Sequence, residues 1–204
     1  MYIEVLSVGP IGTNCYLVSD GETCAIVDPG EEARRIADRV DALGWKPGAI
    51  LLTHSHYDHT GAVEALRKFY PGLPVYRSDR DVYHGDPRML QLYPELGETT
   101  LCDEGDTISV GKLQFSVLAT PGHSAGSLTF RCGSALFCGD TLFAGSCGRT
   151  DLAGGDPAKM WTSLRRLGSL PEDLEVYPGH MHATTLAQER TTNPYMQHAL
   201  RGGF

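Results

Sequence analysis

The segment Thr53-His54-Ser55-His56-Tyr57-Asp58-His59 places three imidazoles and one carboxylate within six residues, His54 to His59. Imidazole nitrogen and carboxylate oxygen are ligands that suit a divalent ion such as zinc. His54 and His56 are two apart, so an extended backbone points both rings to the same side. Asp58 and His59 fall on the first turn of a following helix and face a second point close by. Four ligands from one short segment can thus serve two ions. The competing reading, a loop of solvated surface histidines, leaves the rest of the chain unexplained.

Three more coordinating side chains follow apolar runs. His123 comes after Thr120-Pro121-Gly122, Asp140 after Phe137-Cys138-Gly139, and His180 after Val176-Tyr177-Pro178-Gly179. Each time an apolar strand leads into a small-residue turn and then a ligand. Glycine before the ligand lets the backbone turn sharply. One such residue alone reads as loop polarity; three, after a dense ligand cluster, read as a metal site.

These groups need a scaffold. Tyr2–Val8, Asn14–Val18 and Thr23–Val27 read as strands punctuated by Pro10, Gly12 and Asp20-Gly21. Glu31–Leu43 carries Ala33, Ile36, Ala37, Val40 and Leu43 on one helical face, with Gly44 as a stop. A strand over 49–53 ends in the cluster, where open α/β sheets place their sites. A helix over 59–69 follows, and Val75-Tyr76 begins another strand. Residues 79–100 read as an irregular loop with one helical turn, a candidate lid or substrate wall. Thr107–Val110 with Leu113–Leu118, and Ser127–Arg131 with Ala135–Cys138, read as hairpins. Pro157–Leu167 is a predicted helix, Leu174–Tyr177 a strand and Thr184–Thr191 a last helix. This order suggests two packed sheets with helices outside.

Composition bounds the partners. A net charge of −8 over 204 residues argues against a non-specific grip on nucleic acid or an anionic membrane. No apolar run approaches the ~20 residues that span a bilayer, and Met1 to Val8 lacks the basic and apolar regions of a signal peptide. The six cysteines form no Cys-x-x-Cys pair. Cys15, Cys24, Cys132 and Cys138 sit in apolar runs and read as reduced core residues, which fits a cytoplasmic protein.

The motifs His54-Ser55-His56-Tyr57-Asp58-His59, Gly122-His123-Ser124, Gly139-Asp140-Thr141 and Pro178-Gly179-His180 resemble, in order and approximate spacing, the motif series of the metallo-β-lactamase superfamily. The resemblance covers residues 10–195. It implies an α/β fold, an αβ/βα four-layer sandwich of two mixed β-sheets with helices outside, in one domain over 1–204. Gly148-Arg149-Thr150-Asp151-Leu152, Gly154-Gly155-Asp156, and Thr184-Thr185 with Glu189 and Asn193-Pro194 resemble the short glyoxalase II-type (hydroxyacylglutathione hydrolase-like) enzymes. Those split S-acyl glutathione thioesters such as S-lactoylglutathione.

Carried over by position, the resemblance implies that His54, His56 and His123 hold one ion. Asp58, His59 and His180 hold a second, and Asp140 bridges the two. Asp58 and His59 would thereby serve catalysis as well. A divalent ion lowers the pKa of its water from 15.7 toward ~7, which supplies a hydroxide nucleophile without a serine or cysteine. Zinc is the leading expectation; iron and manganese suit the same ligands. Tyr57 lines the pocket or packs. Arg149 binds a substrate carboxylate by its planar fork or pairs with Asp151 or Asp156. Thr53 and Ser124 are candidates to orient histidine rings. His182 is a spare ligand, a pocket wall or an exposed residue; His84 is extra, and His198 has no assigned role.

The longer glyoxalase II enzymes carry a C-terminal helical region that helps to grip glutathione. This chain ends at Phe204, soon after the last motif, so that region is expected to be absent. Either another loop holds the thiol moiety or the substrate is not a glutathione thioester. The leading expectation is a binuclear thioester hydrolase with a small acyl thioester as partner, monomeric or homodimeric. Alternatives are a mononuclear iron persulfide dioxygenase, a lactonase or β-lactamase, and a non-enzymatic binding role; the complete set of seven ligands speaks against the last.

Overall fold

The computed structural model describes residues 1–81 and 93–202. Two six-stranded sheets face each other. The first runs β1 (Tyr2–Val8), β2 (Thr13–Ser19), β3 (Thr23–Val27), β4 (Lys46–Leu51), β5 (Val75–Arg77) and β6 (Thr100–Leu101). The second comprises β7 (Thr107–Val110), β8 (Leu113–Ala119), β9 (Leu128–Cys132), β10 (Ala135–Gly139), β13 (Glu175–Pro178) and β14 (Thr184–Thr185), in the order β14-β13-β10-β9-β8-β7. Both sheets are mixed: β3, β4, β5 and β6 pair in parallel, as do β10 and β13. A two-stranded ribbon, β11 (Leu142–Phe143) with β12 (Ser146–Cys147), follows β10.

The central strands are apolar on both faces because both faces are covered. In β2, Cys15 and Leu17 pack on the helix side, whereas Tyr16 and Val18 join the core between the sheets. The same alternation divides Cys24 and Ile26 from Ala25 and Val27, and Leu136 and Cys138 from Ala135 and Phe137. The period-two geometry of a strand thus builds three cores and four layers. Phe137 is fully buried at the centre; its truncation to alanine is expected to cost about 3–5 kcal/mol.

Helices α1 (Ala33–Leu43) and α3 (Val63–Phe69) cover the first sheet, with the single turn α2 (Tyr57–Thr60) between β4 and α3; α4 (Pro157–Gly168), α5 (Leu186–Thr192) and α6 (Pro194–Leu200) cover the second. Gly44 ends α1 in the left-handed conformation, φ 70°, and returns its N–H to Val40 and Asp41 carbonyls. Asp156 caps α4 by accepting from the Ala158 and Lys159 amides, with Pro157 at the first turn.

The helix expected over 59–69 is two pieces. They part at Gly61, where a Cβ would stand 2.4 Å from the Gly30 carbonyl oxygen. The expected helix over 184–191 starts later, because Thr184 and Thr185 first pair with β13. The sequence reading missed β6, the ribbon β11–β12 and helix α6. Within 79–100, Asp79–Asp81 forms one 3-10 turn; residues 82–92 of that expected lid lie outside the described residues.

Candidate metal centre

Five strands end at one point. Asp28 follows β3, the cluster Thr53 to His59 follows β4, His123 follows β8, Asp140 follows β10 and His180 follows β13. Cross-sheet hydrogen bonds fix this junction. The Asn14 amide donates to Gly179 O at 2.7 Å, and Tyr16 Oη donates to Pro178 O at 2.7 Å. The glycine turns close the approach. Gly139 has φ 48°, and a Cβ on Gly179 would lie 2.2 Å from Asp140 Oδ1.

The geometry gathers His54, His56 and His123 in one group and Asp58, His59 and His180 in another. In each, one potential ligand atom per residue lies within 4.8 Å of the others. The His54 and His59 ring centroids are 4.1 Å apart, so the groups adjoin. Asp140 stands between them. Its Oδ2 is 3.4 Å from His123 Nε2 and 3.6 Å from His180 Nε2, and its Oδ1 is 3.4 Å from His59 Nε2.

Neighbouring oxygens set which ring nitrogens are free. His123 Nδ1 donates to Arg149 O at 2.8 Å, which leaves Nε2 without a proton in the neutral ring. Thr53 gives its hydroxyl proton to Asp28 Oδ2, 2.6 Å away. Its oxygen can therefore only accept from His54 Nδ1 at 3.1 Å. His59 Nδ1 lies 3.0 Å from the same Asp28 Oδ2. Asp28 therefore turns the Nε2 atoms of His54 and His59 toward the centre, one through Thr53 and one directly.

Electrostatics separate the two groups. Burial pushes the His54 imidazole well below its usual range and that of His56 down to about 3, with neighbouring histidines adding to the effect. Both are neutral and present lone pairs. Burial also opposes a proton on His59, but the carboxylates of Asp140 and Asp28 outweigh it and hold its pKa well above the usual value. On His180 burial is likewise outweighed, by a hydrogen bond to Asp58 and the charge of Asp140. Burial disfavours charge on Asp58, yet the His180 and His59 rings, each with Nε2 3.2 Å from its Oδ2, hold it below the usual carboxylate range.

A metal fits these residues. Among the described residues, the buried Nε2 atoms of His54 and His56 have no hydrogen-bond partner, and His59 Nε2 and Asp140 Oδ1, 3.4 Å apart, are not aligned for one. Leaving buried polar atoms unsatisfied costs about 1–3 kcal/mol each. His56 Nδ1 and His123 Nε2 are 2.9 Å apart; imidazole nitrogens this close must share a proton or a cation. Unpartnered nitrogens and a carboxylate oxygen converging in a buried pocket form a donor set for divalent cations.

A cavity of about 610 Å³ opens over the groups. Tyr57 lines it and is half exposed, so it does not serve as core packing. Arg149 also lines it, and its guanidinium makes a two-pronged pair with Asp151, both contacts 2.7 Å. The Ser124 hydroxyl donates to Asp81 at 2.8 Å and lies 2.8 Å from Ser127 Oγ, so it serves this carboxylate rather than a histidine ring. His182 is exposed and His198 packs edge-on against Trp161. His84 lies outside the described residues.

The metallo-β-lactamase superfamily profile matches residues 8–180. The chain belongs to that superfamily. A superfamily relative, a hydroxyacylglutathione hydrolase of Enterobacter sp. (strain 638), is 38% identical over 187 residues, covering 88% of this chain and 68% of its own. The hydroxyacylglutathione hydrolase of Salmonella typhi is 42% identical over 80% of this chain, which spans only 59% of that enzyme. Among solved structures, that of the protein TTHA1623 in a di-iron-bound form has TM-score 0.84 and 40% identity, covering 94% and 99% of the two chains. That of the B3 metallo-β-lactamase BLEG-1 has TM-score 0.84 and 34% identity, covering 96% and 99%. The fold is the superfamily's pair of mixed sheets with flanking helices, and its His/Asp clusters form a metal-binding centre.

Sequence reasoning missed two buried carboxylates beside this superfamily centre. Asp28, which directly follows the strand Thr23–Val27, has no assigned role in the sequence reading. Asp81 accepts from the Ser55 amide at 3.1 Å, the Gly126 amide at 2.6 Å and Ser124 Oγ at 2.8 Å. It ties the His54–His56 loop of one sheet to the His123 loop of the other.

Proposed function

We propose that this protein is a binuclear metal-dependent hydrolase acting on thioesters, with S-lactoylglutathione the first substrate to test. His54, His56 and His123 would hold one ion and Asp58, His59 and His180 the second, with the Asp140 carboxylate between the two groups. Zinc is the leading metal, and iron or manganese suit the same donors. The supporting observation is that one carboxylate, Asp140, lies 3.4 Å from a ring nitrogen of each histidine group, His123 Nε2 and His59 Nε2.

Bound divalent ions would lower the pKa of water and polarise the thioester carbonyl. The chain's own groups do the rest. Hydrolysis breaks the C–S bond and forms a C–O bond, and the hydrogens of water end on the thiol and the acid. Asp28 and the Arg149 carbonyl hold the proton-bearing Nδ1 atoms of His59 and His123 away from the reaction space. Asp58, its charge favoured by His180 and His59, faces the cavity as a carboxylate. Arg149 can receive an anionic group by exchanging it for Asp151. Tyr57 and Leu152 wall the space and limit water.

The test is hydrolysis of S-lactoylglutathione by metal-loaded protein, with His54→Ala and Asp140→Ala as controls. Turnover in the wild type and its loss in both variants are expected; retained turnover in both overturns the ligand assignment. The complete second group, Asp58 with His59 and His180, disfavours a mononuclear iron dioxygenase. One iron per chain with oxygen uptake on glutathione persulfide would assign that activity instead. A panel of lactones and β-lactams separates the other acyl-transfer chemistries.

A further inference from the structure

Three large exposed apolar side chains stand around one opening. Ile11, Tyr57 and Met181 are 54%, 45% and 52% exposed, and all line the cavity above the histidine groups. They come from separate segments: the β1–β2 turn, the start of α2 and the residue after His180. Single exposed apolar residues need no explanation, but their convergence on a functional cavity marks a ligand surface.

Met181 is also held at a conformational cost. Its φ of 69° lies in the left-handed region that favours glycine or asparagine. Asn14 secures it, donating from Nδ2 to Met181 O at 2.8 Å and to Pro178 O at 3.0 Å. The fold thus maintains a strained backbone that carries a long apolar side chain at the cavity mouth. Strain of this kind collects at ligand sites.

The cavity is two-sided. Tyr57 precedes Asp58, Met181 follows His180, and Thr13, near Ile11, donates to Asp58 Oδ2 at 3.1 Å. The apolar rim therefore borders the second histidine group. Arg149 borders the first, through its carbonyl on His123. Among the described lining residues it is the one Lys or Arg. A short hydroxyacyl group would leave the rim in water.

We propose that Ile11, Tyr57 and Met181 form a subsite for an apolar acyl arm. The preferred substrate is then a thioester of a medium-length aliphatic acid, its thiol moiety lying toward Arg149. This inference rests on the thioester reading above. Burying a methylene fully on such a rim gains about fourfold, and burying half of it about twofold.

The test takes metal-loaded protein and S-acyl-N-acetylcysteamine thioesters from acetyl to octanoyl. The wild-type kcat/KM is expected to rise about twofold per methylene, roughly 60-fold across the six methylenes of the series. In Ile11→Ser and in Met181→Asn, which suits the left-handed backbone, the octanoyl-to-acetyl ratio should fall at least threefold. A flat wild-type series, or unchanged ratios in both variants, overturns the subsite. Calorimetric titration with acetate through octanoate reads the rim without turnover, and Kd should fall with chain length. Length-dependent binding without thioester hydrolysis keeps the subsite and sinks the thioester reading. Hydrolysis with no length dependence in either assay does the reverse.

Discussion

His59 Nδ1 lies 3.0 Å from Asp28 Oδ2, and both side chains are shut away from solvent. A carboxylate behind a metal-binding histidine fixes the tautomer and raises the ring's donor strength. Asp28→Asn keeps the size and tolerates the native φ of 50° but removes the charge. Metal affinity, read by competition with a chromophoric chelator, is expected to fall about 10- to 100-fold. Unchanged affinity would show that Asp28 serves only the packing of Thr53.

Gly179→Ala tests the space around the second group. The added Cβ would stand 2.2 Å from Asp140 Oδ1 and 2.6 Å from His59 Cε1. Overpacking of this kind costs about 1–3 kcal/mol and displaces what it meets. The variant should bind less metal per chain by elemental analysis and melt earlier. Wild-type metal content would mean that the β13 turn yields without disturbing Asp140.

Asp81 joins the two loops that carry His54, His56 and His123. Asp81→Asn places an amide NH₂ among three donors, so at least one buried donor loses its acceptor. The expected destabilisation is about 1–3 kcal/mol by chemical denaturation. Ser124→Ala, which removes one donor and leaves the carboxylate, should cost less than Asp81→Asn. The reverse order would place the loop's stability in Ser124 rather than in Asp81.

How much of this was legible beforehand follows from where each signal lies. The seven converging side chains stood out because each follows an apolar run that, in β4, β8, β10 and β13, became a strand covered on one or both faces. Asp28 was invisible as a functional group because Asp28-Pro29-Gly30 carries a turn signature. Only the fold brings it against Thr53 and His59, 25 and 31 residues on. Asp81 lies in a stretch without periodicity, and its donors come from two distant loops. Helix α6 was passed over although its start is written in the sequence: Asn193 accepts from the Tyr195 and Met196 amides, and Pro194 opens the first turn. At seven residues it is too short to show a helical period.

Asp20 predicts a pH effect away from the centre. Backbone amides of Thr23, Lys112 and Glu22 donate to its carboxylate and lower its pKa to about 2. A depressed folded value stabilises the protein above the unfolded pKa of ~3.9 and loses that contribution as pH falls through about 2. Asp20→Asn should therefore be less stable than wild type at pH 6, and the gap should close toward pH 2. A gap that stays constant with pH would locate the effect in neutral hydrogen bonding. NMR titration of the Asp20 carboxyl reads the same value directly.

Metal loading should release protons from one half of the centre and not the other. His54 and His56 are held neutral by burial, so their nitrogens are open at pH 7. The carboxylates of Asp140 and Asp28 outweigh burial and hold the His59 pKa well above its usual value, so a proton is favoured there, and His180 is shifted in the same direction. A cation entering there must displace those protons, so affinity at the second group should rise with pH while the first group responds less. Calorimetry in buffers of different ionisation enthalpy should show one binding event with proton release and one nearly without. Chelation should then lower the melting temperature. Saturation at 1,000 times Kd adds about 4 kcal/mol, which for a domain of this size is on the order of 10 °C. Equal proton release from both events would contradict the division of the centre into a neutral half and a protonated one.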